Sequence, residues 1–137
     1  GGILGLSQLK RLSKNIQKRN ENFEYFLSLL DANKYQTDLV LHGQSNYALI
    51  VILKKPNLEQ RNKVETTLLR NRIEFRRGLS GGGNQLRQPY LKKIAEIYNL
   101  NEFPNIEHIH NYSWYIGNYP KLKKKNIKNL ANLLNNI

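Results

Sequence analysis

The 137-residue chain has no cysteine and no methionine, one tryptophan, and 10 acidic residues against 22 lysines and arginines. Without cysteine there is neither a disulfide framework nor a thiolate metal site, which fits a reducing, cytoplasmic compartment. No apolar run approaches the roughly 20 residues of a membrane span, and the N-terminus lacks the basic, apolar, small-residue order of a secretory signal, so no membrane partner is expected. The missing methionine and the leading Gly1-Gly2 suggest an internal start or an added scar, and the chain is expected to be a fragment. Also lacking are a carboxylate pair in a polar loop, a histidine cluster at ligand spacing and a nucleophile elbow. No metal and no self-sufficient catalytic group is expected.

What is present suits one soluble globular domain spanning residues 1–137, with 39% hydrophobic and 23% charged residues. The net charge of +12 raises a nucleic-acid reading, since lysine and arginine neutralise phosphates. The basic residues build no recognised nucleic-acid motif, and lysines scattered over solvated helix faces explain the charge equally. A nucleic-acid module therefore stands as an alternative, beside a stand-alone interaction domain that buries its apolar N-terminal helix in a protein partner.

Helical spacing of Leu9, Leu12, Ile16, Phe23, Leu27 and Leu30 predicts one long amphipathic helix over residues 4–30. Residues 39–41 and 47–53 read as strands separated by a turn. Asn57 is placed to cap a helix carrying Leu58, Val64, Leu68 and Leu69, and residues 73–76 return as a third strand. Pro89 starts a helix over 90–98; a short helix over 105–111, a strand over 113–116 and a closing helix over 122–137 follow. The expected class is α+β, a small and mainly antiparallel sheet covered by helices.

Two segments carry candidate chemistry. Four glycines within residues 78–84 disfavour regular structure and let backbone approach a ligand, while Asn84, Gln85, Arg87 and Gln88 supply donors for phosphate or sugar hydroxyls. A mobile surface hairpin is the competing reading. The cluster Trp114-Tyr115-Ile116-Gly117-Asn118-Tyr119-Pro120 offers either a core anchor or a pocket wall, with core packing favoured for Trp114. His108 and His110 are two apart and point to different helix faces, as structural or surface residues; His42 lies in a loop and is undecided.

Taken in order, these segments resemble the C-terminal domain of the DegT/DnrJ/EryC1/StrS family of pyridoxal-phosphate-dependent sugar aminotransferases and their dehydratase relatives. The likeness rests on Gly5-Leu6-Ser7-Gln8-Leu9 with Lys18-Arg19, on Ile73-Glu74-Phe75-Arg76-Arg77, on Gly83-Asn84-Gln85-Leu86-Arg87-Gln88-Pro89-Tyr90 and on Trp114 to Pro120. The third of these is similar to the Gly-Asn-x-x-Arg-Gln-Pro stretch of the sugar-nucleotide 3-dehydratase branch. The resemblance implies a small domain of a fold type I enzyme whose large, cofactor-binding domain is absent from this chain. It implies a nucleotide-sugar substrate, a homodimeric parent carrying pyridoxal phosphate, and no cofactor bound to this fragment. Arg76 or Arg77, Asn84 and Arg87 are then expected to contact substrate, with Gln88 supporting the loop and Trp114 or Tyr115 forming a wall.

Overall fold

The computed structural model describes residues 2–79, 83–91, 93 and 96–137. Among them are four α-helices and a three-stranded antiparallel sheet. Helix α1 spans Gly2–Leu29, α2 Leu58–Arg70, α3 Pro104–Tyr112 and α4 Lys124–Asn135. Strands β1 (Ala48–Ile52), β2 (Phe75–Arg76) and β3 (Ser113–Gly117) lie in the order β1-β3-β2.

Side chains alternate across a strand, so each strand divides between two environments. Leu49 and Val51 of β1 and Trp114 and Ile116 of β3 point into the core. They meet Phe23, Phe26, Leu27 and Leu30 at the end of α1, Val64 and Leu68 of α2, and Ile127, Leu130, Ala131 and Leu134 of α4. Only the second half of α1 joins this core. In its first half Ile3 is 87% and Leu9 61% exposed.

Polar side chains close the ends of these elements. Asn57 adopts extended backbone and its side-chain Oδ1 accepts the Gln60 N–H at 2.9 Å, the expected N-cap of α2. At the far end of α1, Asn135 donates to the Leu29 carbonyl at 2.8 Å and accepts the Asp31 N–H at 2.9 Å, which ties α1 to α4. Tyr35 is fully buried and its hydroxyl donates to the Leu134 carbonyl at 2.8 Å.

One expected strand is absent among the described residues. Residues 39–41 form no strand, although Leu39 and Leu41 pack on the core while Val40 is exposed. The outer edge of β1 is instead met by residues 34–36, through Gln36 N–H to the Ile52 carbonyl and the Tyr35–Leu53 bridge. That leaves residues 39–41 no ladder to join. Of the helix expected over 90–98, a 3-10 turn at Pro89–Leu91 and a helical Lys93 are described, and Lys92, Ile94 and Ala95 lie outside the described residues.

Leu49→Ala empties a fully buried site and is expected to cost about 2–5 kcal/mol in a denaturant titration. Ile50→Ala, on the opposite and partly exposed face, should cost far less; equal losses would contradict this division of β1.

Candidate functional site

The registers of β1 and β2 against β3 place Ile50, Tyr115 and Arg76 in one row across the uncovered face of the sheet. Tyr47, just before β1, meets Tyr115 edge to face at 6.1 Å between ring centroids. On one side of this pair is an open groove of about 680 Å³, lined by Arg72, Glu74, Arg76, Tyr115, Tyr119 and Asn126 among others. On the other side, Asn46, Ile50 and Ile109 line a second groove of about 450 Å³. Arg76 is exposed and forms no ion pair with any described residue.

The same alternation sends the neighbouring residues elsewhere. Trp114 is 1% exposed and its indole N–H donates to Glu65 Oε1 at 3.0 Å, so it is a core anchor, while Tyr115 lines both grooves. Arg77 forms an ion pair with the same Glu65 oxygen. Arg76 thus lines the groove, and Arg77 is tied to α2 beside Trp114.

The loop that follows β2 is pinned against α3. Gly78 adopts φ +63°, and a Cβ on Gly83 would lie 2.6 Å from His110 Nδ1 and 2.8 Å from the Gly78 carbonyl carbon. Only glycine fits there. The Asn84 N–H donates to His110 Nδ1 at 3.0 Å, and its side-chain amide donates to Glu107 Oε1 at 2.7 Å while its carbonyl oxygen accepts the Leu86 N–H. Arg87 grips Glu107 through Nε at 2.8 and 2.9 Å and through Nη2 at 2.5 Å. Gln88 donates to the Gly78 carbonyl at 3.2 Å. Ser80, Gly81 and Gly82 of the expected glycine-rich loop lie outside the described residues.

These contacts shift two ionisations. The Arg87 hydrogen bonds hold the Glu107 carboxyl below the ordinary carboxylate value, assisted by Asn84 and opposed by burial. Burial lowers the His110 pKa, and the nearby Arg87 and Arg77 charges add to it against the pull of Glu107. A neutral His110 keeps the Nδ1 lone pair that accepts the Asn84 N–H.

Sequence reasoning missed Glu65, Glu107 and His110 as partners. One signal was available: Glu107 and His110 are three apart on a helix and share a face. His108 points the other way, with Nε2 2.6 Å from the Leu53 carbonyl oxygen, as the two-residue offset implied.

A family model of the DegT/DnrJ/EryC1/StrS aminotransferase family matches residues 2–135, and the chain belongs to that family. GDP-4-keto-6-deoxy-D-mannose 3-dehydratase of Yersinia pseudotuberculosis is 28% identical over 134 residues, covering 97% of this chain and 34% of that protein. The structure of the E. coli GDP-4-keto-6-deoxy-D-mannose-3-dehydratase with bound hydrated PLP superposes with a TM-score of 0.73 at 25% identity, over 97% of this chain and 34% of that one. Spr1654 of Streptococcus pneumoniae, assigned as a sugar aminotransferase, shares the fold with a TM-score of 0.78 at 16% identity, over 97% and 33% of the two chains. The chain thus spans about a third of the length of the relatives it matches.

Because its folded pKa is lowered, Glu107 stabilises the domain above the ordinary carboxylate value of 4.5 and loses that contribution as pH falls through the lowered value. Glu107→Gln abolishes this dependence. Between about pH 6 and about pH 3 the parent should lose more stability than the variant in denaturant titrations, and superimposable profiles would contradict the Arg87–Glu107 assignment.

Proposed function

We propose that the chain is the C-terminal, substrate-facing small domain of a pyridoxal-phosphate-dependent enzyme that modifies a nucleotide-linked sugar by 3-dehydration or transamination, within deoxy- or amino-sugar biosynthesis. The observation that carries this reading is the row of exposed Arg76 and half-buried Tyr115, with Tyr47 beside it, along an open groove of the sheet. Family membership and the one-third coverage of the relatives support it.

The cofactor does not fit this chain's own grooves. Neither groove is lined by a lysine or histidine among the described residues, so neither offers an amine to anchor an aldehyde or an imidazole to take a proton. When bound, pyridoxal phosphate supplies the electron sink for such chemistry, and in this reading the large domain of the parent holds it. The small domain contributes positioning.

In that role Arg76 pairs with a phosphate oxygen and Tyr115, braced by Tyr47, gives a ring or sugar face an aromatic wall. Glu107 occupies Nε and Nη2 of Arg87 and leaves Nη1 for a substrate oxygen. Asn84 and Gln88 hold the loop in shape, so its donors are fixed before substrate arrives and little freedom is lost on binding. The parent is proposed to be a cytoplasmic homodimer whose second subunit completes the site.

In the protein carrying both domains, Arg76→Ala and Arg87→Ala should each raise KM for the nucleotide sugar, or lower turnover, by about 10- to 100-fold, the size of a lost charged hydrogen bond. The absorbance of the bound cofactor should not change. Steady-state kinetics indistinguishable from the parent in both variants would end this assignment.

A further inference from the structure

Helix α2 ends in a Schellman motif. The Arg72 N–H donates to the Leu69 carbonyl at 3.0 Å, and the Ile73 N–H to the Leu68 carbonyl at 2.9 Å. The residue between these bonds must take left-handed backbone, and glycine is the usual occupant because a Cβ is strained there. Here the position holds an arginine at φ +55°. Its side chain is exposed, forms no ion pair with any described residue, and lines the 680 Å³ groove together with Arg76.

The groove has a graded lining. Arg72 and Arg76 bring two positive charges against the single carboxylate of Glu74. Tyr47, Tyr115 and Tyr119 supply aromatic surface, and Asn126 of α4 supplies an amide. Two guanidinium groups suit adjacent phosphates, which they meet with forked donors, and tyrosine faces suit a planar base or a sugar ring.

We infer that Arg72 and Arg76 form a diphosphate subsite, with the tyrosine surface beside it taking the nucleoside. The inference rests on the substrate-facing reading above and adds Arg72, which that reading does not require.

The test uses the full 137-residue chain and three probes, GDP, inorganic pyrophosphate and guanosine, titrated by NMR into the parent, Arg72→Gly and Arg72→Asn. Both variants tolerate left-handed backbone, so neither should disturb the fold, and Arg72→Gly should raise Tm. The expected result has opposite signs: higher thermal stability in Arg72→Gly, with affinity for GDP and for pyrophosphate reduced about tenfold in both variants. Guanosine binding should change little. If GDP binds the parent and both variants alike, the subsite is wrong while the substrate-facing reading stands. Absence of saturable GDP and pyrophosphate binding to the unmutated chain at millimolar concentration overturns the diphosphate subsite, while the substrate-facing reading stands or falls with the two-domain kinetics above. A loss of guanosine affinity equal to that of GDP places Arg72 at the base and refutes the diphosphate assignment.

Discussion

The whole arrangement depends on the insertion of β3 between β1 and β2. Its residues arrive last of the three in the chain, yet both other strands bond to it and not to each other. Alternation along this one strand then assigns the two halves of the molecule. Trp114 and Ile116 close the core over α1, α2 and α4, while Tyr115 surfaces between Arg76 and Ile50. A shift of one residue in register would exchange these environments, burying the tyrosine and exposing the tryptophan. The core therefore specifies which side chains reach the opposite face, since the strand that seals one presents the other.

Two carboxylates organise what surrounds that strand. Glu65 of α2 takes the Trp114 N–H and the Arg77 guanidinium, fixing the inner side of the β2–β3 pair. Glu107 of α3 takes Arg87 and Asn84, fixing the loop that follows β2. In a chain with 22 basic and 10 acidic residues, these acids do more than balance charge. Each removes an arginine from free solution and sets its direction, which leaves Arg76 and Arg72 as the cations facing the groove. A buried asparagine pair adds a third tie, with Asn22 of α1 donating to Asn118 at 3.1 Å and Asn118 reaching the Arg19 and Asn46 carbonyls.

The parts legible in the sequence are those governed by local rules. The amphipathic repeats of α1, α2 and α4 and the Asn57 cap depend on neighbours within a few positions, and all appear near the expected boundaries. Residues 39–41 had the apolar, β-branched composition of a strand without a partner edge, which only the three-dimensional pairing decides. Likewise, Asn84 and Arg87 were legible as a polar loop, but Glu107 lies 23 and 20 residues further on and no local pattern links them. Arg76 and Arg77 are adjacent and chemically identical, and their separation follows from strand parity and from Glu65. The apolar first half of α1 was legible as amphipathic and lies outside the core, because the core is complete without it.

The central claim is that the uncovered sheet face and the pinned loop act as one half of a nucleotide-sugar site. Hydrogen–deuterium exchange of the chain with and without a saturating GDP-linked hexose tests it most directly. The account predicts slowed exchange in residues 47–50, 72–76, 83–88 and 115–119 together. Slowing confined to α1 or α4, where many of the lysines lie, would place the ligand on the basic helix surfaces and contradict it.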